Sequence, residues 1–381
     1  MDAALTSPGR AIAADRSTLR HVDVTLVVCA LALSVLGLLV VYSATHQAQT
    51  ELHRDPGFFV KRQAFALVVA IVAMAAVALV DYQWFKIYAP FLYITTVILL
   101  ILVQTPLGTT SLGAQRWFQI PGFQFSPSQF ARLGLIAMMA AYLSDRQREL
   151  ELRNVLAVAI LAGIPMLLVF IQPDMGTSII LAAIMLAQLV VAGARARHLA
   201  VLVLAALIAI FGAFQLNIVK DYQVQRLTSF LDPQNDALSA GYNRLQAEIA
   251  IGSGGLTGRG YLKGTQTNLN FVPAQRTDFI FTVVGEEFGF AGAVVLLGLF
   301  ALVLWRAFRI ALLAKDPFGT FVAVGVAGMF AIQLFINVGM TIGIMPITGI
   351  PLPFLSYGGS ALIADFIGVG LLLNVYARRP G

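Results

Sequence analysis

Residues 271–290 read FVPAQRTDFIFTVVGEEFGF, and the apolar run that starts inside this stretch continues to Trp305 and Arg306. Four charged side chains, Arg276, Asp278, Glu286 and Glu287, stand at its head. Trp and Arg favour the interface of a bilayer, and a helix crosses the hydrocarbon in about 20 residues. Counting back from Trp305 therefore puts the other edge of this span near Glu286. Asp278 lies a further two helical turns out, about 12 Å at 1.5 Å per residue, so the acid stands above the hydrocarbon. A helix beginning at Asp278 would place Thr282, Gly285 and Gly289 on one face, a stripe of small residues suited to close packing or to a lipid chain. Asp278 itself has two readings, a helix N-cap matched to the macrodipole or a working carboxylate kept ionised by Arg276.

The rest of the chain agrees that this is a membrane protein. Of 381 residues, 59% are hydrophobic and 12% charged, and the mean hydropathy is +0.83, far from the balance of a soluble domain. The expected fold is all-α and polytopic, with ten spans at about 22–43, 62–80, 86–104, 128–143, 154–171, 176–193, 198–217, 280–305, 318–341 and 359–377. Residues 1–21 form an N-terminal segment, 22–378 one membrane domain, and 218–279 a large structured loop between spans seven and eight. If spans alternate, Arg10, Arg16, Arg20, Lys86, Arg146, Arg148, Arg153, Arg195, Arg197, Arg306, Arg309, Lys315, Arg378 and Arg379 share a face. The positive-inside rule makes that face, and both termini, cytoplasmic. The net charge of +6 is then topology and no argument for nucleic acid. The first apolar run is too long for a signal-peptide h-region and is expected to remain as a helix. Cys29 is the single cysteine, and the four histidines lack ligand spacing, against a zinc site.

Three further segments break the pattern of spans and short turns. GTTSLGAQRWFQIPGFQFSPSQFAR (108–132) puts Arg116 beside Trp117, as an interfacial anchor or an anion ligand. QPDMGTS (172–178) reads as a tight turn in which Asp174 caps the next helix. The long loop contains GYNRLQAEIAIG (241–252), where Leu245 and Ile249 at helical spacing suggest a surface helix. It is followed by GSGGLTGRGYLKG (252–264), which meets neither a Walker A nor a dinucleotide fingerprint. Arg244, Arg259, Lys263 and Arg276 outnumber Glu248 and Asp278 across 243–278, a balance that suits a diphosphate. Finally, GIMPITGIPLPFLSYGGS (343–360) is too rich in Pro and Gly for a helix and reads as a re-entrant outer segment, with Ser360 capping the last span.

These blocks carry a family resemblance. LGAQRWF, SPSQFAR, QPDMGTS, GYNRLQAEIAIGSGGL, RTDFIFTVVGEE and PLPFLSYGGS occur in the order found in the RodA/FtsW (SEDS) peptidoglycan polymerases. GTQTNLNFVP and MTIGIMPITGIPLPF resemble the elongation (RodA) branch. The resemblance implies a bacterial cytoplasmic-membrane glycosyltransferase that joins lipid II units on the outer face, with inversion, releasing undecaprenyl diphosphate. It implies Asp278 as catalytic residue and general base, with Arg116, Gln129, Arg132, Lys263 and Arg276 as substrate-binding candidates. Asp174, Glu286, Ser356 and Ser360 are secondary or structural candidates. Two positions depart from the family pattern: Gln129 stands where Glu is usual, and Arg276 where His is usual. Implied partners are a class B penicillin-binding transpeptidase and other elongation-complex membrane proteins. A divalent cation (Mg or Mn) and no organic cofactor are implied.

Two other functions fit a ten-span frame, a lipid II flippase and a non-catalytic scaffold for the transpeptidase. A transporter is expected to carry charges within its spans, whereas the candidate charges here are expected to cluster at the outer surface.

Overall fold

The computed structural model describes residues 22–111, 114–120, 123–146, 150–215, 230 and 240–380. The N-terminal segment with Arg10, Arg16 and Arg20, the basic residue Arg148, and most of 218–239 lie outside the described residues.

Ten helices coincide with the ten apolar runs: α1 (Val24–Glu51), α2 (Phe58–Leu79), α3 (Tyr82–Leu102), α4 (Pro127–Ser144), α5 (Leu152–Ile171), α6 (Met175–Val191), α7 (Ala196–Gln215), α10 (Ile280–Leu313), α11 (Pro317–Thr341) and α12 (Gly359–Ala377). Among the described residues, seven of them are long and apolar enough to cross a membrane. Between α7 and α10 lie α8 (Ala240–Ser253) and the single turn α9 (Thr265–Asn268). Large apolar side chains such as Phe65, Val72, Ile87, Phe91 and Phe211 are exposed, as expected of helices whose outer solvent is lipid. α4, α11 and α12 are inner helices, most of whose residues are buried. α11 packs on α4, α6 and α10, and α12 on α2.

The chain is not purely helical. β1 (Thr109–Ser111), β2 (Ala114–Ile120) and β3 (Phe123–Phe125) form an antiparallel sheet in the order β1-β2-β3, where an all-α chain was expected. Two of these strands have three residues, too few to show a period-2 pattern, and the register shifts between Thr109 and Thr110.

α10 is bent where the sequence expected a continuous stripe. Gly289 has φ 63° and ψ −160°, a conformation open essentially to glycine alone. The straight part that follows, 290–313, has ample length to span. The small-residue face packs against protein, because a methyl at Gly285 would lie 2.9 Å from the Ile251 side chain.

The glycine-rich stretch 252–264 has a structural purpose. Arg259 and Gly260 donate backbone N–H bonds to the carbonyls of Glu286 and Glu287 (3.0 Å each), while Phe290 and Ala291 donate to the carbonyls of Gly255 and Leu256 (2.9 and 3.0 Å). Backbone lies against backbone here, so that a Cβ at Gly258 would sit 2.1 Å from the Glu287 carbonyl oxygen. α8 packs through Ala247 and Ala250 against Val272, Phe279 and Ile347. Its Leu245 and Ile249 face outward, 54% and 42% exposed.

The segment 343–358 enters the bundle, as its composition suggested. Ile350, Leu352, Phe354 and Leu355 are buried, and a methyl on Gly37, in mid-α1, would lie 2.8 Å from Leu355 Cα. Phe354 holds φ 64° between the rings of Phe330 and Phe366, at 5.2 and 5.5 Å.

Opposite this end, charged side chains tie helix termini together. Arg306 Nε donates to Asp23 (2.6 Å), Tyr82 and Gln83 donate to Asp316 (2.6 and 2.7 Å), and Lys86 donates to Asp145 (2.7 Å). Arg378 lies 3.8 Å from Asp81. Lys86, Arg306 and Arg378, three basic residues expected on one face, are thus held there by acids.

Candidate active site at the Asp278 turn

α10 starts at Ile280 with Phe279 as its N-cap. Asp278 therefore precedes the cap position, in a turn where its N–H donates to the Ala274 carbonyl at 3.1 Å. The turn is fixed from outside by three successive carbonyls. That of Arg276 accepts from the Tyr357 N–H at 2.9 Å. That of Thr277 accepts from Ser356 Oγ at 2.6 Å, and that of Asp278 from Asn337 Nδ2 at 2.8 Å. Asn337 also donates to the Ile350 carbonyl (2.7 Å), and Ser356 Oγ accepts from the Leu352 N–H (2.8 Å). Gln63 of α2 completes the frame, donating to the Ser356 carbonyl at 3.1 Å and accepting from the Gly358 N–H at 3.2 Å. The Asp278 side chain is left partly exposed. Gly349 faces it: a methyl there would lie 3.3 Å from Asp278 Oδ2.

Cations border this turn. Arg276 is exposed with Cζ 4.3 Å from the Phe59 ring centroid, and Arg62 sits 4.4 Å over Phe58. The two rings meet edge to face at 5.2 Å, so both guanidinium groups rest on adjacent residues of one helix start. Nearby Lys61 is paired with Asp55 at 2.6 Å. Its hydrogen bond, with that of the Gly57 N–H, holds the Asp55 carboxyl below its ordinary range.

Arg116 Nε donates to the Gln172 carbonyl at 2.9 Å and its Nη2 to that of Pro173, with Asp174 3.7 Å away. Its charge thus clamps β2 to the α5–α6 turn. Asp174 caps α6, accepting from the Thr177 N–H (3.2 Å) and hydroxyl (2.9 Å). Glu286 is fully buried and accepts from the Gln266 and Thr267 N–H groups at 2.8 and 2.9 Å and from Thr267 Oγ1 at 2.7 Å. It is thereby the anion at the start of α9. Glu287 accepts from the Leu262 N–H at 3.1 Å and from Ser43 Oγ. Lys263 is exposed on the glycine-rich loop, which is anchored at Glu286 and Glu287 rather than at the Asp278 turn. Ser360 does not cap α12, whose N-cap is Gly358 without a side-chain bond. Instead it donates to the Gln124 carbonyl (2.8 Å) and accepts from the Ser126 N–H (3.1 Å), tying the helix to the sheet.

Arg132 is not at the surface. It is wholly buried, donating to Gln333 Oε1 (2.6 Å) and Gln129 Oε1 (2.5 Å), with Asp365 3.7 Å away. The expectation that charges avoid the spans therefore fails here. Sequence reasoning missed Gln63, Gln333, Asn337 and Asp365. The available signal was a polar side chain inside an apolar run, Asp365 above all, since an acid within a span is a functional candidate by default.

No group of three or more His, Cys, Asp or Glu residues able to hold a metal exists among the described residues. Among the described residues, the donor set does not fit a protein-built metal cage.

The sequence matches the FtsW/RodA/SpoVE model of cell cycle proteins over residues 23–380. The chain belongs to this family. The SEDS chain is 39% identical over 361 residues to the peptidoglycan glycosyltransferase MrdB of Escherichia coli K12, covering 94% of each. It is 37% identical over 362 residues to a probable peptidoglycan glycosyltransferase FtsW of Geobacter sp. strain M18, covering 94% of this chain and 98% of that one. The SEDS fold superposes with a TM-score of 0.77 on a chain of a peptidoglycan synthase complex that coordinates polymerization and crosslinking. That match has 32% identity and covers 93% of this chain and 97% of that one.

Proposed function

We propose that this multi-pass membrane protein is an inverting peptidoglycan glycosyltransferase that polymerises lipid II at the outer face of the bacterial cytoplasmic membrane. Asp278 acts as its base. The observation that carries the assignment is the turn itself, in which three consecutive carbonyls are held by Tyr357, Ser356 and Asn337. A rigid backbone thereby presents one partly exposed carboxylate, the preorganisation that acid–base chemistry needs. In the step, a sugar hydroxyl of one lipid II attacks the anomeric carbon of the other strand. The hydroxyl proton passes to Asp278, the new C–O bond forms with inversion, and the bond to undecaprenyl diphosphate breaks with its electron pair on the diphosphate. Arg276, two residues from Asp278, and Arg62, beside the framing Gln63, are exposed cations suited to the departing charge. A divalent cation, if bound, would add positive charge beside the departing diphosphate.

In this reading ten spans carry both termini on the cytoplasmic side, with Asp278 and the sheet outside; the basic Lys86, Arg306 and Arg378 at the opposite end support it. The partners in this reading are a class B penicillin-binding transpeptidase and other membrane proteins of the elongation complex, the former supported by the synthase-complex relative. The elongation role rests on GTQTNLNFVP and MTIGIMPITGIPLPF. A flippase is the second reading, and the buried Arg132–Asp365 pair is what favours it.

One assay decides between them. Purified protein is incubated with lipid II and Mg2+ or Mn2+, with and without the transpeptidase, and wild type is compared with Asp278→Asn. Glycan strands from wild type and none from the variant are expected. Equal polymer from both removes Asp278 from the mechanism, and transbilayer movement without polymer assigns a flippase.

A further inference from the structure

A guanidinium with no exposed surface needs a compensating anion. Within α4 Arg132 finds none, because the residue one turn before it, whose side-chain oxygen it touches at 2.5 Å, is the neutral Gln129. The anion comes from α12 instead: Asp365 Oδ1 lies 3.7 Å from Arg132 Nη2, with side chains 3% and 0% exposed. Helix rise puts Arg132, Asp365 and Gln333 at one depth, roughly 8–12 Å inside the outer ends of α4, α12 and α11. Arg132 then grips Gln333, and Gln333 stands one turn below Asn337 on α11. Asn337 in turn holds the carbonyls of Asp278 and Ile350.

We propose that Asp365 is a positioning residue for the polymerase reaction: it supplies the buried counter-charge that lets Arg132 lock α4, α11 and α12 at the depth from which Asn337 holds the Asp278 turn. The positioning role rests on the glycosyltransferase reading; the charge pairing does not. Asp365→Asn removes the nearest anion from a buried cation, leaving only the more distant Asp174. It lowers the melting midpoint and reduces kcat for lipid II polymerisation about tenfold or more, equivalent to ~1.4 kcal/mol of barrier, while KM stays within about twofold. The acid can be moved. Gln129→Glu in the Asp365→Asn background returns a carboxylate to Arg132 from its own helix, and restores both the midpoint and kcat. Gln129→Glu alone sets two acids on one cation and destabilises.

Two readouts separate the claims. If wild type makes no polymer, the enzyme reading fails, and the midpoints still test the pair. An Asp365→Asn variant with wild-type midpoint and rate overturns the proposal, and so does a double variant no better than Asp365→Asn in either measure. Should Asp365→Asn not fold, recovery of a folded, active double variant supports the pairing, and its failure to fold overturns it. A further variant, Arg132→Met with Asp365→Leu, removes both charges and remains folded. A fall in kcat there supports positioning, and an unchanged kcat overturns it.

Discussion

The side-chain amide of Asn337 donates 2.8 Å to the backbone carbonyl of Asp278, although the two residues are 59 apart in sequence. The same amide holds the Ile350 carbonyl at 2.7 Å, so one side chain joins the last turn of α11, the re-entrant segment and the start of α10. Asn337→Ala leaves two carbonyls without this donor, and an unsatisfied buried polar group costs about 1–3 kcal/mol. Loosening the turn moves the Asp278 carboxylate without deleting it. The expected outcome is kcat lowered about tenfold, a ~1.4 kcal/mol change in barrier, with KM for lipid II little changed. Steady-state kinetics on purified protein checks this, and Ser356→Ala, which frees the neighbouring Thr277 carbonyl, is expected to act in the same direction.

Gly349 tests the carboxylate from its other side. Its φ of 75° is a left-handed conformation that costs an L side chain roughly 1–2 kcal/mol. A methyl there would also press on Asp278 Oδ2 from 3.3 Å. Gly349→Ala is expected to fold with a modestly reduced melting midpoint and to lose a larger share of its polymerisation rate. A variant that melts lower but keeps its full rate per folded molecule would show that the carboxylate need not sit where it does.

Glu286, conspicuous in sequence beside Glu287, gives the opposite expectation. Its oxygens take two N–H bonds and two hydroxyl bonds, one of them long at 3.4 Å, at the start of α9, and a methyl at Gly264 would come within 2.8 Å of Oε2. Bonds to a charged acceptor contribute about 1.5–3 kcal/mol each, and an amide in its place turns an NH2 toward donors. Glu286→Gln is expected to destabilise by about 2–4 kcal/mol and to speed hydrogen exchange over residues 262–270. Activity per folded molecule should stay within about twofold. A specific loss of kcat with unchanged stability would instead assign Glu286 to the chemistry.

The helices were legible because runs of about 20 apolar residues admit few other readings. Asp174 was legible as a cap because its donor, Thr177, is three residues away. What failed to show depended on partners distant in sequence. The glycines of 252–264 answer to the backbone of α10, Ser360 to the sheet, and Asn337 and Gln63 to a turn and a loop that no local pattern links to them. Asp365 was hidden by averaging, since one acid barely lowers the hydropathy of a 19-residue apolar helix. β1–β3 were too short for alternation to register.

The bend in α10 yields a paired prediction. At Gly289 a side chain meets a positive φ of 63°, and its Cβ would lie 2.3 Å from the Gly258 nitrogen, a distance that only backbone movement can relieve. Moving either strand breaks the four backbone hydrogen bonds between the glycine-rich loop and residues 286–291. That change also carries Glu286 away from α9. Gly289→Ala is therefore expected to cost more than about 3 kcal/mol, in the range of severe single substitutions, and to abolish accumulation of folded protein. Nine residues on, in the same helix, a methyl at Gly298 meets nothing within 4 Å. Gly298→Ala is expected to be neutral or to stabilise by up to about 1 kcal/mol through helix propensity. Expression level and melting midpoint of the two variants, measured side by side, test whether glycine is required by the bend or merely tolerated along α10. Equal behaviour of the pair would mean that the loop and the helix can separate without loss of the fold.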